Sequence, residues 1–350
     1  MRVEDYALPL ADPLATAAGT VESRTGFLVS VGPDDGLEAR GVGEAAPLPG
    51  WTESVEDCRS ALADAADRAA SEGLDAAVAG VDPGATPAAR HGLALAVLDA
   101  RARAAGEPLY RHLGAETRVE SVPVNATIGD GNVVQTRAAA ERAVEAGFTT
   151  LKIKVGARDV GTDLERLWAV REACPAAALR VDANGSWDQE TARKAVRAGT
   201  VQRVSYVEQP LPATDLDGHA ALRDRGVGVA VDESVVECGL DAVLDAGAAD
   251  AVVLKPMALG GPDRAREAAH RAHEAGVVPV VTTTVDGAVA RAAAVHVAAT
   301  LPGAVACGLA TGDRLARDLL ATDPAPREDG RVRVPQDAGN APHPEDEPDA

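Results

Sequence analysis

Lysine is almost missing from this chain. Of 34 basic residues, only Lys152, Lys154, Lys194 and Lys255 are lysine, and the rest are arginine. Aromatic residues are also scarce, at 2%, so the core must be built from Ala, Val and Leu. Cysteine occurs four times, as Cys58, Cys174, Cys238 and Cys307, with no C-x-x-C pair. Widely spaced, they read as free thiols in a reducing compartment rather than as a zinc site. No run approaches the ~20 apolar residues of a membrane span. The opening Met1-Arg2-Val3-Glu4-Asp5 has no apolar signal-peptide core, so a cytoplasmic location is expected.

Positive charge is in deficit as well. The net charge is −20 over 350 residues. Such a surface repels nucleic acid and anionic lipid, so neither is expected as a partner. Acid excess with lysine depletion is also the pattern of adaptation to a salty cytoplasm, where screening relieves self-repulsion. A GC-rich genome would explain the arginines but not the charge. The length suits one large domain or two smaller ones.

From about residue 119 a strand–helix alternation sets in. Strands are expected at 122–128, 149–155, 179–181, 205–207, 229–231, 251–254, 277–281 and 304–309. Ala-, Arg- and Glu-rich helical patterns fill the gaps, the first over 135–146 with Gly147 as its stop. Eight short strands alternating with helices predict a (β/α) barrel over 119–314. Residues 1–118 read instead as an α+β capping domain. Strands at 26–31 and 38–43 flank a Gly-Pro-Asp-Asp-Gly turn, and helices follow at 55–72 and 88–105. Segment 315–335 is expected to return to that first domain, with a strand over 330–335. Residues 336–350, acidic and Pro-rich, are expected to be disordered.

The chemistry is concentrated at strand ends. Asp182, Glu208 and Asp232 close three successive strands, 26 and 24 residues apart. Side chains at the C-terminal ends of barrel strands converge on one face. Three converging carboxylates repel one another unless a cation lies between them, and hard oxygen ligands suit Mg²⁺. A single Asp at such a turn would read as a helix cap. Three at this spacing, with lysines one unit to either side, favour a metal. Lys152 and Lys154 lie two apart on a strand and so share one face. Lys255 ends the run Ala251-Val252-Val253-Leu254. Arginine cannot give up its proton in a protein, whereas lysine shifts its pKa readily. A nearby cation depresses an amine's pKa and yields a base near neutrality. Lys194 reads as a solvated helix residue with no role.

The set Lys152-x-Lys154, Asp182-x-Asn184, Glu208-Gln209-Pro210, Asp232-Glu233-Ser234 and Lys255-Pro256 resembles the enolase superfamily. The likeness is to the branch of muconate-lactonising enzymes and o-succinylbenzoate synthases. It implies a modified (β/α)7β barrel with a capping domain, Mg²⁺ (or Mn²⁺ in its place) as cofactor, and a lysine base acting through an enediolate. Segments 43–50 and 306–312 resemble o-succinylbenzoate synthases in particular. The Asp-x-Asp of the last strand in dipeptide epimerases is not matched by Ala310-Thr311-Gly312-Asp313. Departures are Thr282-Thr283-Thr284 with Asp286 in place of the more usual Ser and Glu, and a C-terminal ending of Val334-Pro335-Gln336-Asp337.

The activity so implied is Mg²⁺-dependent dehydration of 2-succinyl-6-hydroxy-2,4-cyclohexadiene-1-carboxylate to o-succinylbenzoate, a step of menaquinone biosynthesis. Lys154 would be the base, Lys255 the cation facing it, and Lys152 a holder of a carboxylate oxygen. Asp182, Glu208 and Asp232 would hold the metal. Asn184, Gln209, Glu233, Asp286, Gly308 and Thr311 would orient these groups or touch the substrate, a small carboxylate. An N-acylamino acid racemase or dipeptide epimerase would use both lysines as alternating bases. A barrel that only binds a carboxylate is the remaining alternative. The sequence carries no signal for an oligomeric state.

Overall fold

A computed structural model describes residues 1–16 and 19–344. The capping domain begins with a three-stranded antiparallel sheet in the order β1 (Arg2–Thr16), β2 (Gly19–Val31), β3 (Gly41–Ala45). Strand β1 has no counterpart among the expected elements. It carries Pro9 and Pro13, which argue against a central strand, but it lies at the sheet edge, where proline is tolerated. Its pairing with β2 shifts register between Pro9 and Leu14. Strand β3 is buried along its whole length and packs on the helix Pro87–Ala104. Its glycines permit this approach, since a Cβ on Gly43 would sit 1.9 Å from the Gly92 carbonyl oxygen. The same helix is capped by Glu53, whose carboxylate accepts from the Ala88 and Ala89 amides at 3.0 and 2.8 Å. The helix Val55–Glu72 begins at Ser54, whose side chain accepts from the Asp57 amide.

Two short strands, β4 (Ser121–Pro123) and β5 (Ala126–Ile128), replace the single strand expected at 122–128. From β5 the parallel sheet runs in chain order. It continues through β6 (Thr150–Lys154), β7 (Ala178–Asp182), β8 (Val204–Glu208), β9 (Gly228–Val231), β10 (Ala251–Leu254) and β11 (Val278–Val281). The segment around Cys307 closes the barrel by single bridges rather than a full strand. Gly308 pairs with Thr282 beyond β11, and Cys307 pairs with Val124 between β4 and β5. A Cβ on Gly308 would meet Thr282 Oγ1 at 2.5 Å, so glycine allows this contact. Val- and Leu-rich strands and Ala-rich helices form one core that also includes Val42 and Leu95 of the cap. Among the described residues no helix is long and apolar enough to cross a membrane.

The chain's last part departs from expectation twice. Leu315 and Ala316 do return to the cap, pairing with Leu10 and Pro9 of β1. The later strand β13 (Arg331–Arg333), paired with β12 (Arg327–Glu328), joins β4 at the barrel instead. Residues 336–344, expected to be disordered, are laid down as a strap. Asn340 donates its amide to Asp99 (2.7 Å) and its side-chain amide to the Val289 carbonyl (2.9 Å), and His343 lies 2.9 Å from Asp99. The composition was that of a solvated tail, but buried polar groups on two helices offered it specific partners. Residues 345–350 of the expected tail lie outside the described residues.

Cap and barrel are joined by a buried carboxylate. Glu44 of β3 accepts from the amides of Gly287 and Ala290, at the start of the helix Ala288–Ala299, and from the Tyr6 hydroxyl (2.7–2.8 Å). Burial, and then the charge of Asp286, push its pKa from 4.5 to about 7. The folded carboxyl keeps its proton to a higher pH than the unfolded one. Its contribution to stability is therefore complete below pH 4.5, falls as pH rises, and is gone above about 7. It amounts to about 3 kcal/mol. Urea unfolding at pH 5 and pH 8 should show a steeper loss for the native protein than for Glu44→Gln. Equal slopes would place the titration elsewhere.

Candidate active site

In-register pairing of parallel strands puts Lys154, Asp182 and Glu208 on one rung at the C-terminal ends of β6, β7 and β8. Asp232 and Lys255 follow immediately after β9 and β10. Capping does not explain these acids. Asp159, Asp188 and Asp215 each accept a helix amide from their own loops, whereas Asp232 stands at a cap position and makes no such bond.

Three lysines and three acids meet here. Lys152 Nζ lies 2.6 Å from Glu208 and 2.8 Å from Asp182. Lys154 Nζ donates to Asp182 and to Asn184 Oδ1, both at 2.7 Å. Lys255 Nζ donates to both Asp232 oxygens at 2.5 and 2.7 Å. Among the described residues no three acidic, His or Cys side chains enclose a cavity for an ion as they stand. Lysine ammonium groups neutralise the carboxylates instead.

The electrostatics follow from this crowding. Burial raises the Asp182 pKa, but Lys152 and Lys154 outweigh it and hold the carboxyl below its ordinary range. Burial and then the Asp182 charge push Glu208 up to about 7. Asp232 is raised by burial against the pull of Lys255. Burial opposes the charge on Lys152, yet Asp182, Glu208 and Asp232 hold its pKa well above the usual amine value.

Asn184 and Glu233 link the carboxylates across the site, with Asn184 Nδ2 donating to Glu233 Oε1 at 3.0 Å. Glu233 pairs with this amide and not with a lysine. Its other oxygen, Oε2, is buried without a partner. Gln209 acts from behind. Its Oε1 accepts from the Asp232 amide (2.9 Å) and its Nε2 donates to Ser234 Oγ (2.8 Å), so it sets the turn that carries Asp232. Asn184 and Gln209 both have positive φ, 45° and 39°, a strain typical of functional turns.

Three expected site residues make contacts of their own. Asp286 accepts from the Thr284 amide and hydroxyl and lies 3.9 Å from Arg24, which places it at the cap–barrel junction. Thr311 shares a hydrogen bond with Thr283 (2.9 Å), and Gly308 serves barrel closure.

Two residues of the site were not singled out from sequence. Trp51, from the cap, lays its ring on Lys255 with Nζ 3.0 Å from the centroid. Arg180, two residues before Asp182, donates to the Ala306 carbonyl (2.6 Å) and stacks on Tyr206. The signal for Arg180 was parity, because it shares the inward face of β7 with Asp182. The signal for Trp51 was its rarity in an aromatic-poor chain.

The donor set fits a hard divalent cation. It has three buried carboxylates on adjacent strands, two of them held toward protonation, and an orphaned carboxylate oxygen beside them. Asp182, Glu208 and Asp232 would hold the ion. A raised Glu208 pKa makes its binding pH-dependent, because the proton must leave first. Mg²⁺ affinity is expected to rise about tenfold per pH unit below 7 and to level off above it. Calorimetry from pH 5.5 to 8.5 would detect this. A flat profile would mean that Glu208 does not take part.

Acid and base side chains gathered at the mouth of a capped barrel make this the candidate catalytic site of a barrel enzyme. Residues 135–346 match the family model described as enolase C-terminal domain-like, and the chain belongs to the enolase superfamily. An o-succinylbenzoate synthase of Thermobifida fusca (strain YX) is 42% identical over 199 residues, covering 55% of this chain and 60% of that protein. An o-succinylbenzoate synthase of Thermosynechococcus vestitus is 31% identical over 91% of this chain and 94% of that one. Among solved structures, the dipeptide epimerase from Methylococcus capsulatus, in complex with Mg and the dipeptide L-Arg-D-Lys, is 31% identical. It covers 97% of this chain and 98% of its own, with a TM-score of 0.85. The capped-barrel fold expected from sequence is thus the fold found.

Proposed function

We propose that the chain is an o-succinylbenzoate synthase, dehydrating 2-succinyl-6-hydroxy-2,4-cyclohexadiene-1-carboxylate to o-succinylbenzoate. The family is common to dehydratases, racemases and epimerases, so the choice rests on what surrounds the lysines. The observation that carries it lies at the last barrel segment. A dipeptide's free ammonium needs an acidic partner there. The one carboxylate of residues 306–314, Asp313, is exposed and lies 3.3 Å from Arg327. The likeness to two o-succinylbenzoate synthases supports the same choice.

In this reading Lys154 takes the proton from the ring carbon that bears the carboxylate. The electrons of that C–H bond spread onto the carboxylate as an enediolate, then form the new ring double bond as the C–O bond breaks and the hydroxyl leaves with its electron pair. Lys154 then passes the proton to the departing hydroxyl, which completes a molecule of water. Lys255, across the site, faces the charge that develops, and Lys152 holds a carboxylate oxygen. Asp182, Glu208 and Asp232 would hold Mg²⁺, which would supply Lewis acidity to the site. Aromatisation drives the elimination, so the protein's main task is to stabilise charge.

The test is the loss of diene absorbance when the purified full chain and Mg²⁺ meet the cyclohexadiene. A parallel incubation in D₂O with an N-succinylamino acid reports α-proton exchange. Exchange without dehydration would replace this reading with a racemase.

A further inference from the structure

Trp51 sits in a turn built to hold it still. The Leu48 carbonyl accepts from the amides of both Trp51 and Thr52 at 2.9 Å, and the Thr52 hydroxyl oxygen accepts from the Leu48 amide at 2.7 Å. Gly50, at φ 96°, provides the left-handed residue the turn requires. Just beyond it, Glu53 is fixed on the helix Pro87–Ala104. The cap also grips the segment that follows Lys255. The Ala46 amide donates to Met257 Sδ at 3.4 Å, and Arg90 donates to the Gly260 carbonyl at 2.6 Å. A rigid cap turn and a rigid barrel loop thus bring one indole onto one ammonium.

We propose that Trp51 is a positioning residue for Lys255. The Lys255 ammonium touches both Asp232 oxygens and, at the same time, the indole face. A lysine side chain has four rotatable bonds, and a carboxylate alone leaves its tip free to swing. The aromatic face removes that freedom by cation–π attraction and keeps water off the same side. Lys255 therefore meets the substrate from a fixed direction, set by the cap and not by the barrel alone. The contact makes cap docking a condition for a competent site. The kinetic consequence rests on the dehydration proposed above, whereas the contact itself does not.

Two measurements on the full-length chain test this. The sequence has three tryptophans, so protein labelled with 5-fluorotryptophan gives three ¹⁹F resonances, and Trp51→Phe identifies that of Trp51. Lys255→Met is expected to shift the Trp51 resonance and leave the other two in place, while Lys194→Met shifts none. In Mg²⁺-saturated turnover, Trp51→Leu is expected to lower kcat about tenfold with KM nearly unchanged. Trp51→Phe, which keeps a ring face and guards against a loosened turn, should restore most of that loss. A Trp51 resonance indifferent to Lys255→Met, or a Trp51→Leu enzyme as fast as the native one, overturns the proposal. If the native protein dehydrates nothing, the assigned reaction fails and the ¹⁹F shifts alone decide the indole–ammonium contact.

Discussion

Lys154→Ala is expected to lower the dehydration rate by about 10⁴-fold, at the upper end of what a positioned general base supplies. The fold and Mg²⁺ binding should survive. Lys154 is the most open of the three site lysines, with 35% of its side chain exposed, and its loss leaves Asp182 still paired with Lys152 at 2.8 Å. The variant therefore removes an amine without stranding a buried charge, the usual route to a large loss of stability. Lys154→Arg sharpens the experiment. It keeps a cation beside Asp182 but cannot act as a base, since the guanidinium holds its proton. If the role is proton transfer, both variants are inactive. If the role is only charge, arginine recovers most of the rate. Turnover by the alanine variant within tenfold of the native rate would assign the base to another residue. Thermal unfolding and calorimetric Mg²⁺ titration provide the controls.

That the three acids, Lys154 and Lys255 stand at strand ends was legible, because each closes a short strand pattern and the patterns repeat at barrel spacing. Strand ends are where sequence is most informative, since one residue's position fixes both its face and its height. The cap was less legible. The long strand β1 buries Leu8 and Leu10 on either side of an exposed Pro9, and only its place at the sheet edge explains its prolines. The strap at 336–344 was misread for a related reason. Composition reports whether a segment can build its own core, and this one borrows Asp99 and the Val289 carbonyl from helices more than 50 positions away in sequence. Asp286 was drawn to the site by its neighbours in the chain, whereas the fold turns it toward Arg24. Val285, at φ 63°, marks the sharp turn that does this, and nothing in its side chain announces a left-handed conformation. Trp51 belongs to the same class of omission. A contact between the cap and the sixth unit of a barrel has no local periodicity to betray it.

Asp232→Asn carries the second large effect, because two separate terms act against it. The first is at the metal. Altering groups that merely orient a ligand costs 10–100-fold in affinity, so removing one of three anionic ligands should raise the half-saturating Mg²⁺ concentration by at least about 100-fold. The second is at Lys255. Its ammonium is nearly buried, with 8% of the side chain exposed, and Asp232 is its one carboxylate partner within 4 Å among the described residues. An amide there leaves a buried cation without its counter-charge, a loss of about 3–5 kcal/mol when one member of a buried pair is removed. The contact with Trp51 recovers only a part of it, at most about 2 kcal/mol. The variant should therefore be both metal-hungry and less stable, and the instability should ease in Lys255→Met/Asp232→Asn, where neither charge remains. A double-mutant cycle on urea unfolding measures that recovery. If the double variant is no more stable than Asp232→Asn alone, the pair is not coupled as its geometry requires. If Mg²⁺ dependence is also unchanged, the ion is held without Asp232, and a site built on the ends of β7, β8 and β9 is the wrong one.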